Sequence, residues 1–329
     1  MSIAASPLAE FAVQESLVAR VAGAARRGLG SRPKRLPPWL FYDEEGSRLF
    51  DAITELDEYY VTRTERSILA EHGEEMIAAA AEGRRLRIAE LGAGSAEKTR
   101  MLLRAAAARQ RPVIYEPIDV SGSALEGARE RIEREIAGVH VIPRVSDYTH
   151  GAGLDLDATH GERRLVLYIG SSIGNFEPEE AAGLLRRVRA SVDAGDGLLL
   201  GVDLVKGERV LQAAYDDAAG VTAAFNRNIL MRLNRELGAD FDPEAFAHRA
   251  RWNAERSRME MHLESMAAQS AQVAGMEVWF AAGETIHTEN SYKYVPGQAE
   301  AMLEAAGFAA AGVWTDASEW VAVCLGRAK

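Results

Sequence analysis

"LRIAELGAGSAEKTRMLLRAAAARQ", residues 86–110, decides the fold. A short apolar run ends in a turn built on Gly92 and Gly94, and an Ala- and Leu-rich stretch of high helix propensity follows. The same order returns in "PVIYEPIDVSGSALEGARERIEREI" (112–136), where a strand ends near Asp119. "VHVIPRVSDY" (139–148) reads as a third strand, "RRLVLYIGSSIGNFEPEEAAGLLRRVRASV" (163–192) as a fourth with its helix, and "GDGLLLGVDLV" (195–205) as a fifth. Strands alternating with helices make a parallel sheet covered on both faces, because each crossover helix lies across one of them.

Working outward, the first thirty residues carry apolar positions at helical spacing until "GLGSRPKRLPP" (28–38) interrupts with Gly and Pro. Short helices should follow, then a longer one from near Thr62 to near Gly83. Beyond Lys206 the alternation stops. "GERVLQAAYDDAAGVTAAFNRNILMRLNRELG" (207–238) is helical, and "RMEMHLESMAAQSAQV" (258–273) and "MEVWFAAG" (276–283) read as antiparallel strands. The tail returns to a helix, "GQAEAMLEAAGF" (297–308), and two strands, "AGVWTD" (311–316) and "WVAVCLG" (320–326). An insertion after the fifth strand is a second, smaller domain, and the N-terminal segment is its expected neighbour. The expected boundaries are 1–61 and 206–290 for the smaller domain, and 62–205 with 291–329 for the sheet domain.

With 47% hydrophobic and 26% charged residues among 329, the chain can bury a sizeable core. Lys and Arg number 38 against 49 Asp and Glu, a net charge of −11 that disfavours a partner as anionic as nucleic acid. The single cysteine, Cys324, lies in an apolar run, reads as a buried strand residue, and suits a reducing compartment. "MSIAASPLAEFAVQESL" carries Glu10 and Glu15 without the apolar core of a signal peptide, and no window approaches the ~20 apolar residues of a membrane span. The expectation is a cytoplasmic protein that needs no membrane. His72, His140, His150, His160, His248, His262 and His287 are scattered without ligand-like spacing, so no metal site is expected.

In "ELGAGSAEKT" (90–99) the position where a dinucleotide loop would carry its third glycine is Glu97, an anion where a phosphate would sit. The loop fits better the acidic-x-Gly-x-Gly turn of S-adenosylmethionine (SAM) methyltransferases, whose ligand has no phosphate; a plain strand–helix turn is the alternative. Asp119 ends the second strand, where a carboxylate can accept both hydroxyls of a ribose, in SAM or in NAD. Asp147 ends the third, placed to accept an adenine amine or to cap a turn, with Tyr148 beside it to pack on the ring. Lys98 is either a solvated helix residue or the cation that neutralises the methionine carboxylate. "YIGSSIGNFEP" (168–178) ends the fourth strand at the ligand-holding edge, where Gly170 and Gly174 allow close backbone approach. Asn175 there offers a donor and an acceptor, or caps the helix that follows.

Together "LFDAITELDEYYVTRTE" (49–65), "ELGAGSAEKT", "YEPIDVS" (115–121), "LYIGSSIGNF" (167–176), "AAYDDAAGVTAAFN" (213–226) and "TENSYKY" (288–294) resemble the histidine-specific Nα-methyltransferases that open ergothioneine biosynthesis. The resemblance runs in order from about Leu36 to the C-terminus. Val61 stands where the Tyr-Tyr pair is usually followed by Pro, and Ala96 where methyltransferase loops commonly have a third glycine. The resemblance implies a Rossmann-like class I SAM-methyltransferase α/β sheet with an inserted substrate-binding domain. It implies successive methylation of the α-amine of free L-histidine, and of its mono- and dimethylated forms, to N,N,N-trimethylhistidine (hercynine). SAM would be the co-substrate, no metal is implied, and nothing in the chain suggests an assembly larger than a monomer.

The matching positions place Gly92, Gly94, Lys98, Asp119, Asp147 and Tyr148 around SAM. For the amino acid they are Tyr59, Gly170, Asn175, Tyr215, Glu289 and Ser291, with Tyr42 and Met261 lining the cavity. Asn175 and Tyr215 would hold the α-carboxylate, Tyr59 and the Gly170 backbone the α-amine, and Glu289 and Ser291 one ring nitrogen each. Glu289 and Ser291 alternate onto one face of an extended segment, whereas Tyr292 and Tyr294 are expected to pack and Lys293 to be solvated. A relative acting on another amino acid, or a silent binder of SAM or an amino acid, would share much of this pattern. An indole, with one donor and no acceptor, matches Glu289 and Ser291 less well than imidazole does.

Overall fold

The computed structural model describes residues 7–149, 154, 156 and 161–329. The chain divides into two compact units, one made of residues up to Tyr59 together with Gly207–Asn290, the other of Tyr60–Lys206 with Ser291–Lys329.

Among the described residues the second unit carries an eight-stranded sheet. Its spatial order is Phe308–Thr315, Val321–Ala328, Gly197–Asp203, Arg163–Tyr168, Leu86–Leu91, Val113–Asp119 and Val139–Val141, with Arg144–Val145 also paired to Val113–Asp119. From Gly197–Asp203 to Val139–Val141 all neighbours are parallel, whereas Val321–Ala328 runs antiparallel to both of its neighbours. This is the parallel α/β sheet, covered on both faces, that the alternation called for. Leu86–Leu91 lies between the second and fourth strands in chain order, so the connections leave it in opposite directions. The crevice at its C-terminal end is the topological switch point at which such sheets bind ligands.

Period-two alternation gives the sheet two buried faces. Leu165, Leu167 and Leu199 join the core beneath the helices Tyr60–Ala81 and Thr99–Arg109. Val166, Tyr168, Leu198 and Leu200 join the one beneath Pro178–Ala190 and Gln298–Ala305. Each fully buried Leu or Val contributes about 1.5–3 kcal/mol, which is why these strands read as unbroken apolar runs. The expected third strand is two short pieces, Val139–Val141 and Arg144–Val145, because Pro143 has no N–H to give the ladder.

The first unit contains the helices Pro7–Leu29, Glu44–Thr54, Glu208–Tyr215 and Val221–Leu237. Its sheet runs in the order Lys34–Arg35, Thr285–Tyr292, Arg258–Ser265, Phe246–Asn253, and Gln269–Val273 pairs separately with Met276–Phe280. Asp43 caps Glu44–Thr54, accepting from the Gly46 N–H at 2.7 Å. The stretch 258–273, expected as one strand, breaks after Ser265 into strands of two different sheets. Phe246–Asn253 pairs antiparallel along the whole of Arg258–Ser265. It escaped the sequence reading because its buried positions are Phe246, His248 and Ala250, a face with little apolar signal.

Candidate functional site

The Gly loop sits at the switch point. Gly92 adopts φ +66°, and a Cβ there would lie 2.8 Å from the Tyr148 hydroxyl, so both conformation and space require glycine. The Gly94 N–H donates to Asp119 Oδ2 at 3.0 Å and the Ser121 N–H to Oδ1 at 2.9 Å. Each Asp119 oxygen keeps a second lone pair, the acceptor capacity a ribose diol asks for. Burial raises the Tyr148 phenol well above its ordinary range, and the charges of Asp119 and Asp147 act in the same direction. Gly92, Gly94, Asp119, Asp147 and Tyr148, drawn from three strand ends, therefore meet at one edge of the sheet. Asp147 also takes the Thr149 N–H at 2.9 Å, so it caps its own turn.

Beneath the loop is Glu90, the acidic position of the acidic-x-Gly-x-Gly turn. It is 3% exposed, and it accepts from the Thr99 hydroxyl at 2.7 Å and from Tyr115. Burial pushes its carboxyl up to about 7, against the lowering effect of Tyr115 and Thr99. Thr99 opens the next helix, so this acid pins the far side of the Gly turn.

Lys98 meets an overlooked acid. Fully buried Glu65 pairs with Lys98 through Oε2 and accepts the Gly170 N–H at 2.7 Å through Oε1. A Cβ on Gly170 would lie 3.0 Å from the Lys98 ammonium. Gly170 has φ +92° and Ser171 φ +57°, two successive left-handed residues that turn the chain sharply off its strand. The 3₁₀ turn Ser172–Asn175 follows, and the helix after it is capped by Glu177 and Glu180 rather than by Asn175. Glu97, the anion in the place of a phosphate, is paired with Arg100 and, at 3.2 Å, with Arg131.

A buried polar cluster joins the end of Gly197–Asp203 to the segment 291–294. Lys293, expected in solvent, is 2% exposed. Its ammonium contacts Asp203 Oδ2 at 2.7 Å and donates to Ser291 Oγ at 2.7 Å. The reason is alternation itself: Lys293 shares its face with Ser291, and a fully buried carboxylate stands there to receive it. Asp203 also accepts the Tyr60 hydroxyl at 2.7 Å and pairs with Lys206. Burial lowers the Lys206 ammonium to about 8, while Asp203 acts to raise it. Tyr292 packs as expected, its hydroxyl donating to Glu177 at 2.6 Å, and Tyr294 is buried.

In the first unit Tyr42 and Tyr59 come together through Phe50, at centroid distances of 5.7 and 6.3 Å, with Phe225 5.9 Å from Tyr42. Phe50 and Phe225 were not singled out in the sequence, although both lie in the quoted blocks. Tyr215 ends its helix, and its carbonyl is 2.8 Å from His248 Nε2. Asn226 fixes that tautomer. Its Nδ2 donates to His248 Nδ1 at 2.8 Å and to the His262 carbonyl at 3.0 Å, while its Oδ1 accepts from Thr288 at 2.7 Å. Thr288 also donates to the Met261 carbonyl at 3.0 Å, tying the strand of Met261 to that of the half-buried Glu289. His262 stacks on His287 at 4.7 Å, and burial, helped by His287, lowers the His262 imidazole to about 4.

The family model described as histidine-specific methyltransferase, SAM-dependent, matches residues 21–328. The chain belongs to this family. A histidine N-alpha-methyltransferase of Mycolicibacterium smegmatis is 45% identical, with 94% of this chain and 95% of that protein aligned. One of Mycobacterium tuberculosis is 44% identical over 88% and 89%. Ergothioneine biosynthesis protein 1 of Neurospora crassa is 30% identical over 88% of this chain and 32% of its own length. This methyltransferase is thus a SAM-dependent enzyme with a small-molecule substrate.

The donor set fits SAM: two carboxylates and a phenol stand at the strand ends, Lys98 immediately precedes the helix, and Glu97 occupies the phosphate position. Among the described residues no group of His, Cys, Asp or Glu is arranged to hold a metal ion, and His150 and His160 lie outside them. No described helix is long and apolar enough to cross a membrane.

Proposed function

We propose that this methyltransferase converts free L-histidine, by three successive transfers to its α-nitrogen, into N,N,N-trimethylhistidine, the first step of ergothioneine biosynthesis. The observation that carries this reading is the 45% identity, across 94% of the chain, to a protein named for that activity.

Bound SAM supplies an electrophilic methyl group on a sulfonium. In this reading the sheet unit holds it. Asp119 accepts the ribose hydroxyls, Asp147 the adenine amine, and Tyr148 packs on the ring. Gly92 and Gly94 bring the backbone close, and Lys98, oriented by Glu65, meets the methionine carboxylate. Asn175 and Tyr215 hold the α-carboxylate of histidine. Tyr59 and the Gly170 backbone orient the α-amine, and Tyr42 and Met261 line the cavity. Glu289 and Ser291 complement the donor and acceptor nitrogens of a neutral imidazole. A site built on such a pair rejects side chains without both, because its own polar groups would be left unsatisfied.

The nitrogen must be a free base before each transfer, so the site must release a proton each time. A phenol is a weak base at neutral pH, so in this reading Tyr59 serves as a relay to water. Holding nitrogen and methyl ~3–3.5 Å apart supplies several kcal/mol otherwise lost to entropy. The aromatic faces of Tyr42, Phe50 and Tyr59 suit the quaternary ammonium that accumulates as product. We read the enzyme as a cytoplasmic monomer that needs no metal, membrane or nucleic acid. Incubation with SAM and each of the twenty free amino acids, read by product mass, should yield a methylated product from histidine alone. Methylation of a different amino acid, or of none, overturns the assignment.

A further inference from the structure

Glu65 lies on the buried face of the helix Tyr60–Ala81 and has no exposed surface. An acid is rarely placed so deep without a specific partner. The sheet is shaped to admit it. Gly201 lies within the strand Gly197–Asp203, and a Cβ there would stand 2.2 Å from Glu65 Oε1. Glycine weakens a strand interior, and here the missing side chain is the space the carboxylate fills.

The two carboxylate oxygens serve different partners. Oε2 pairs with the Lys98 ammonium, and Oε1 accepts the Gly170 N–H at 2.7 Å. Lys98 immediately precedes the helix that follows the glycine loop, and Gly170 lies two residues beyond the strand Arg163–Tyr168. A carboxylate is planar and accepts through both oxygens, so one rigid group sets the position of both.

We propose that Glu65 is a positioning residue that fixes, as one unit, the lysine that meets the cofactor's carboxylate and the peptide that meets the substrate's α-amine. The inference rests on the roles proposed above for Lys98 and Gly170. Both acceptor oxygens are needed. A glutamine of the same shape has one oxygen for two donors, and the charged lysine takes it in preference to the neutral peptide. The Gly170 N–H is then left facing an amide N–H.

The test pairs steady-state kinetics at saturating SAM with calorimetry of S-adenosylhomocysteine. Glu65→Gln should raise KM for histidine about tenfold, the cost of one unsatisfied buried donor, with S-adenosylhomocysteine affinity changed less than about threefold. Lys98→Met should weaken S-adenosylhomocysteine about tenfold, but methylthioadenosine, which has no carboxylate, less than about twofold. In the double variant the amide oxygen is released to Gly170. Its KM for histidine should return to within about threefold of wild type, while S-adenosylhomocysteine binds no better than to Lys98→Met. A merely structural ion pair would give no such recovery. An unchanged KM in Glu65→Gln, or a KM still raised about tenfold in the double variant, overturns the proposal. The double variant buries no charge at this place, so its KM decides the matter even where the single variant does not fold. No turnover of histidine by wild type that binds S-adenosylhomocysteine would overturn the proposed function instead.

Discussion

Replacing Glu90 with Gln should make the protein increasingly more stable than wild type as pH rises from 4.5 to 7. Burial lifts the Glu90 carboxyl from 4.5 to about 7 in the folded chain, against the hydrogen bonds from Tyr115 and Thr99. Between those values the unfolded chain has released a proton that the folded chain retains, so wild-type stability falls as pH rises through that window. At 1.36 kcal/mol per pH unit the loss is about 3 kcal/mol, and it levels off above pH 7. Glutamine keeps the shape and an acceptor for the Thr99 and Tyr115 hydroxyls, but it does not titrate. For a unit of this size about 1 kcal/mol moves Tm by 2–4 °C, so the variant-minus-wild-type gap should widen by roughly 6–12 °C. The assay is a thermal melt of both proteins at half-unit steps from pH 4.5 to 8.5, without SAM. A gap that stays flat, or narrows as pH rises, would refute the buried-acid account.

Three further outcomes follow from single contacts. Gly92→Ala forces a Cβ to 2.8 Å from the Tyr148 hydroxyl at φ +66°, and should weaken SAM binding in calorimetry by at least about tenfold. Asn226→Leu takes their Asn226 partner from His248 Nδ1 and the His262 carbonyl, and leaves the Thr288 hydroxyl only the Met261 carbonyl. It should destabilise the protein by roughly 2–4 kcal/mol in thermal melts, at every pH from 6 to 8. Cys324 is fully buried, and burial with the nearby Glu300 carboxylate raises its thiol to about 12. At pH 8 a disulfide reagent should therefore leave native protein unlabelled and take up one equivalent in denaturant, read by absorbance.

The parallel sheet could be read from sequence because its strands are buried on both faces and separated by glycine turns, so each announces itself locally. The same holds for the loop residues Gly92, Gly94 and Asp119, whose place is fixed by where a strand ends. What stayed hidden depends on partners distant in the chain. Lys293 looks like a solvated residue until Asp203 is found against it, and Glu65 looks like a helix surface acid until the Gly170 N–H and Lys98 are found against it. Phe246–Asn253 was missed because its inner face is built from Phe, His and Ala, with His248 made acceptable only by Asn226 and the Tyr215 carbonyl. The glycine loop pointed towards SAM and the later blocks towards histidine. Glu90 was legible as the acidic position of the glycine turn, but its Tyr115 partner on the next strand was not, and the Asn226 network carries no local signature at all.

The central claim is tested most directly by tandem mass spectrometry of the products formed from SAM and L-histidine labelled with ¹⁵N at the α-nitrogen. The account predicts mono-, di- and then trimethylated histidine in succession, with every methyl group on the labelled nitrogen. Methyl groups on the ring nitrogens, or no methylated histidine at all, would contradict it.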